Sequence, residues 1–130
     1  MNYFRFANWP VYADAKDLFK EITAITKSLP NEYKYSICDQ VTRSCLSIVL
    51  NIAEGSGKDS DKELNRYFNI AIGSVNETFA ILDIMQEANL LRQKDFDLLN
   101  ERCTNIAKQL GGFKKRLRYN FNSKSLIVNR

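Results

Sequence analysis

The sequence predicts an all-α chain, an antiparallel up-down-up-down four-helix bundle, on three observations. Apolar residues recur at alternating steps of three and four along four successive stretches, the period of a helix with one buried face. Strand-like alternation is sustained nowhere. Five Gly and two Pro in 130 residues argue against a turn-dense β fold and against disorder. That length suits one domain, whose folding buries roughly two-thirds of the unfolded surface.

The first helix is predicted from about Trp9 to Leu29, with Val11, Ala15, Leu18, Ile22, Ile25 and Leu29 inward, Asn8 as N-cap and Pro30 as the stop. A second begins at Ser36, where Ser36-x-x-Asp39 reads as a capping box. It turns Val41, Cys45, Ile48 and Ile52 inward and ends at Gly55-Ser56-Gly57. Ser60-x-x-Glu63 opens a third, running to about Asn89 with Leu64, Phe68, Ala71, Val75, Phe79 and Leu82 inward. The fourth starts near Lys94 and places Phe96, Leu99, Cys103, Ile106, Leu110, Phe113 and Leu117 on one seam. Gly111-Gly112 interrupts it, which reads as a bend or a close helix contact. Residues 1–119 form the bundle domain; 120–130 lack a period and are expected to be a flexible tail. Val49, Leu50 and Ile72 read as outward apolar positions, suited to an intersubunit face.

Charge is unevenly spread. Residues 1–101 carry 11 Lys/Arg against 15 Asp/Glu, whereas residues 102–130 carry eight Lys/Arg and no acid. With Leu110 and Leu117 at heptad position a, Lys108 and Lys115 fall at f, Arg118 at b, and Lys114 and Arg116 at e and g. Such a stripe is a surface for a polyanion, though cations also complement the negative end of a helix dipole. Tyr119 and Phe121 beside it could stack on unpaired bases or cover apolar surface. No base-reading motif is present, so shape and charge would do the recognition.

Catalytic readings fare poorly. The absence of His removes the commonest general base and metal ligand, and with it the Glu-x-x-His pairs of di-iron bundles. Gly55-Ser56-Gly57-Lys58 is no phosphate loop, because Ile52 and Asp59 stand where that pattern needs Gly and Ser or Thr. Folding the second helix on the third about Lys58 brings Glu54 opposite Glu63, and Arg43 within reach of Ser74 and Glu77. Both sets, like Asn51, read more simply as structural than as acid–base or cation sites. Neither catalysis, nor a cofactor, nor a metal is expected. Cys38, Cys45 and Cys103 are odd in number and lack a Cys-x-x-Cys pair, which fits apolar filler in a reducing cytoplasm. No signal peptide or membrane-spanning run is expected either.

The motifs also carry a resemblance. Asp39-Gln40-x-x-Arg43, Asn51-Ile52-Ala53-Glu54-Gly55, Lys58-x-Ser60-x-x-Glu63 and Ile70-Ala71-x-Gly73-Ser74-x-x-Glu77 resemble the successive motifs of the 23S rRNA intervening-sequence proteins, over about residues 8–118. Where that family often has Arg after the second Gly of the loop, this chain has Lys58, which keeps the charge and loses bidentate phosphate geometry. The resemblance implies a four-helix bundle assembling as a homopentamer around a central channel, with nucleic acid, RNA or DNA, as the usual proposed ligand. It also implies a kinship of fold with the accessory variability proteins of diversity-generating retroelements, basic pentamers that bind a reverse transcriptase. Two roles follow as expectations: a non-enzymatic nucleic-acid binder, and an adaptor to a protein such as that transcriptase. Five copies would bring about forty basic side chains into one ring, so no single strong phosphate site is needed.

Overall fold

The structure, a computed structural model, describes residues 3–128, with side chains through Leu117. Four helices carry the fold: α1 (Pro10–Lys27), α2 (Asp39–Ser56), α3 (Asp61–Glu87) and α4 (Gln93–Val128). No strand occurs among the described residues. Short 3-10 turns span Arg5–Asn8 and Asn31–Tyr33, and a π turn spans Lys34–Cys38.

Each helix end has a local cause, and several differ from expectation. Asn8 closes the first 3-10 turn, so Trp9, in extended conformation, is the N-cap of α1 and Pro10 its first residue. Proline suits that position because its missing N–H has no partner there anyway. The Ser36 box does not form: the Ser36 hydroxyl donates to the Tyr33 carbonyl at 3.3 Å, and α2 grows directly out of the π turn. Ser60 does cap α3, accepting from the Glu63 N–H at 3.2 Å. The Glu63 carboxylate turns instead to Arg66 at 3.5 Å. Asn89 takes the left-handed conformation after α3, φ 61°, and the Leu90 N–H donates back to the Met85 carbonyl at 2.8 Å. That wrap satisfies a terminal carbonyl and turns the chain toward α4.

The core is built from all four helices: Val11, Leu18 and Ile22; Val41, Cys45, Ile48 and Ile52; Phe68, Val75, Leu82 and Met85; Leu99, Ile106 and Leu110. Within it α2 packs most extensively on α3, along a strip of small polar side chains. The Ser44 and Thr78 hydroxyls meet at 2.8 Å, as do those of Ser47 and Ser74. Asn51 caps the strip by donating to the Ser47 carbonyl at 2.8 Å. Because these hydroxyls satisfy one another, their burial costs little. Thr78, facing Ser44, is fully buried, while Phe79, expected inward, is 37% exposed and lies against Phe96.

Gly55 completes this interface by close approach. A Cβ there would stand 2.9 Å from the Tyr67 Cβ and 3.3 Å from a Leu64 methyl. Gly55→Val is expected to lower stability by about 1–3 kcal/mol through overpacking, read as a fall in the urea midpoint at unchanged slope. Gly111 and Gly112 behave differently: α4 runs through both, and a Cβ at either meets nothing, so the expected close contact is absent.

The remaining contacts run in consistent order. Arg5 reaches Ser56 and Cys38 reaches Thr26. Trp9 packs on Phe113, Asp14 accepts from Gln109 and Glu21 pairs with Arg102. Phe68 meets Phe113 and Gln86 meets Gln93. Between α1 and α4 and between α3 and α4, the contact numbers rise on one side as they fall on the other.

Candidate nucleic-acid interface

α4 positions the expected cations. With Leu110 fully buried and Phe113 and Leu117 packed against the core, Lys108, Lys115 and Arg116 are exposed and Lys114 is half-buried. None of these four forms an ion pair among the described residues. Arg116 lies over the Phe113 ring, 4.6 Å from its centroid. The side chains of Arg118, Tyr119, Phe121 and the expected tail, 120–130, lie outside those described, although the α4 backbone is helical to Val128.

Arg102 leaves this surface. Its guanidinium donates to both Glu21 carboxylate oxygens, at 2.9 and 3.3 Å, joining α4 to α1. The bond to Glu21 and its charge hold the Arg102 pKa above its ordinary value.

The end of the bundle where α2 passes to α3 brings further cations to α4. Arg5 donates through Nε to the Ser56 carbonyl at 2.8 Å and lies 5.5 Å from the Trp9 ring centre. Trp9 packs on Phe113 at 5.5 Å, and Phe113 carries Arg116. On the adjoining loop, the Lys58 ammonium and the Arg66 guanidinium lie 5.0 and 4.9 Å from the Tyr67 ring. Sequence reading missed the gathering of Arg5, Lys58 and Arg66; the aromatic partner one to nine residues from each was the available signal.

The other candidate residues separate. Arg43 does not reach Ser74 or Glu77: it is 77% exposed and pairs with Asp39 one turn back at 3.2 Å. Glu77 accepts from Gln40 at 2.8 Å, while Ser74 belongs to the hydroxyl strip. Glu54 turns to Lys58 at 4.0 Å and Glu63 to Arg66, so the two carboxylates are engaged separately. Among the described residues no three Cys, Asp or Glu converge to hold a metal ion. Val49 is buried and Ile72 packs on the core, leaving Leu50 exposed among the three expected outward positions. Leu46, one turn before it on α2, and Ile70 and Ile84 on α3 are exposed as well. No described helix is long and apolar enough to cross a membrane.

The three cysteines are unpaired and buried. Burial, and for Cys45 the neighbouring Cys103, push these two thiols up to about 12 and about 11. Burial raises Cys38 as well, yet it lines a cleft of about 410 Å³ between the facing ends of α1 and α2. A thiol disulfide reagent near neutral pH is therefore expected to modify Cys38 slowly in the native protein, and Cys45 and Cys103 only after unfolding. Stability follows the same sign. Unfolded Cys45 loses its proton near 9.0 and folded Cys45 near about 12, so its contribution is full below 9.0 and is lost as pH rises through that interval.

A comparison with curated proteins gave no match. Among solved structures, the chain is similar to a protein of unknown function from the S23 ribosomal protein family of Bacteroides thetaiotaomicron VPI-5482. The two are 27% identical with a TM-score of 0.76, over 81% of this chain and 98% of that one. A family model described as 23S rRNA-intervening sequence protein matches residues 7–112. With the motif string and the helical fold accounted for over that span, the chain belongs to the 23S rRNA-intervening sequence protein family.

Proposed function

We propose that this protein is a non-enzymatic nucleic-acid binder, an up-down-up-down bundle acting as a homo-oligomer in the cytoplasm. The reading rests chiefly on α4, whose Lys108, Lys114, Lys115 and Arg116 present a face without acidic partners among the described residues. Arg118 extends that run in sequence, and residues 102–130 contain no acid. Phosphate contacts by such a face carry affinity and little sequence information. The contact order between helices supports the up-down-up-down path, and three unpaired thiols suit a reducing compartment. Exposed Leu46, Leu50, Ile70 and Ile84 on α2 and α3 support assembly through that side of the bundle, with the homopentamer of the resemblance as its proposed form.

The test is binding of nuclease-treated protein to structured RNA and duplex DNA across a salt series, with particle mass measured in the same samples. Binding that weakens steeply with salt, by a particle of about five chain masses, is the expected result. A folded protein that binds neither polymer at low salt overturns the reading, and a reverse transcriptase or other protein partner becomes the object of search.

A further inference from the structure

Arg5, the pair Lys58 and Arg66, and Arg116 come from three segments far apart in sequence, yet contacts link them across one end of the bundle. Arg5 lies on Trp9, Trp9 on Phe113 and Arg116 on Phe113, while Ser56, which accepts from Arg5, is two residues from Lys58. Lys58 and Arg66 then share the Tyr67 ring. Counting Lys62, Lys114 and Lys115, seven cations meet four carboxylates here: Glu54, Asp59, Asp61 and Glu63. Two of those carboxylates hold Lys58 and Arg66 loosely, at 4.0 and 3.5 Å. The acids therefore leave the end cationic.

The geometry points to a phosphate-binding surface that leaves α4 at Arg116 and crosses this end of the bundle over Arg5, Lys58 and Arg66. It rests on the nucleic-acid reading above and adds to it three contacts and a path. A cation held over a ring is preorganised, so less side-chain freedom is lost when it meets phosphate. Arg5 spends its Nε on Ser56 and Arg116 lies over Phe113, and neither forms an ion pair among the described residues, so both keep N–H groups for phosphate. Trp9 and Tyr67 are half-buried beneath these cations, Trp9 against Phe113 as well, so the rings hold the charges in place. The phosphate backbone of RNA is the ligand this combination fits.

Trp9 is the sole tryptophan, so its emission reports on this end alone. An oligouridylate and an RNA duplex of equal length are titrated, at several salt concentrations, into the natural chain, the R5Q/K58Q/R66Q variant and a variant with Gln at Lys108, Lys114 and Lys115. The expected result is a Trp9 emission change that saturates with binding, and a log–log salt slope flattened by about 2 in R5Q/K58Q/R66Q. Oligouridylate and duplex both show the flattened slope, because both present phosphates. Natural affinity and slope in R5Q/K58Q/R66Q, with loss in the α4 variant, overturns the crossing path and leaves the nucleic-acid reading standing. No binding by the natural chain overturns both. Should R5Q/K58Q/R66Q fail to fold, the natural chain decides: unchanged Trp9 emission at saturation overturns the path.

Discussion

Replacing Lys108, Lys114, Lys115, Arg116 and Arg118 by Gln is expected to weaken RNA binding by about four orders of magnitude near 0.1 M salt. Each phosphate contact releases condensed counterions and contributes about 0.7–0.9 to the slope of log affinity against log salt. Five contacts on a fully engaged subunit therefore account for a slope change of about 4, and the affinity loss grows as salt falls. The fold is spared, because Lys108, Lys115 and Arg116 are exposed and exposed substitutions usually shift stability by no more than about 0.5 kcal/mol. Arg116 is the exception to watch, since leaving the Phe113 face forfeits about 0.5–1 kcal/mol. Filter binding across a salt series, with circular dichroism on the same preparations, checks both halves. A folded variant with an unchanged slope would move the polyanion surface away from α4.

Phe68→Ala is expected to cost about 3–5 kcal/mol. The ring is fully buried and meets Phe113 edge-on at 5.2 Å and Trp9 at 6.2 Å. Truncation removes its transfer energy, forfeits both ring contacts at about 0.5–1.5 kcal/mol each, and opens a cavity among α1, α3 and α4. Against a total stability of about 5–15 kcal/mol, that is a large share. Urea unfolding followed by far-ultraviolet circular dichroism measures it. A cost below about 1.5 kcal/mol would mean that Trp9 and Phe113 close over the gap.

Four helices could be read from the chain because their buried residues are mostly Leu, Ile, Val and Phe at regular steps. The face that α3 turns to α2 could not. Ser44, Ser47, Ser74 and Thr78 are polar by composition, and hydrogen bonds to one another and to backbone carbonyls let them line the α2–α3 interface. An apolar count therefore assigned Phe79 to the face that Thr78 occupies. The same strip explains Arg43. With Ser44 facing Thr78 and Ser47 facing Ser74, Arg43 is carried to the outside, where its neighbour is Asp39 rather than Glu77. The Ser36 cap failed for a local reason, since a π turn already supplied helical backbone there. The α4 cations were legible as a run of charge. Arg102 was not separable from them, because its partner Glu21 lies 81 residues away.

That distant pairing has a kinetic side. Three of the helix contacts join neighbours in the chain across short connections, whereas α1 meets α4 through groups far apart in sequence, such as Arg102–Glu21 and Gln109–Asp14, 81 and 95 residues apart. Bundles dominated by local contacts fold in about microseconds to milliseconds, and contacts that close the longest loop are the last to form. A contact absent from the transition state slows unfolding without speeding folding. The α1–α4 seam is thus expected to govern how long a folded molecule lasts, and the α2–α3 hairpin how quickly one is made.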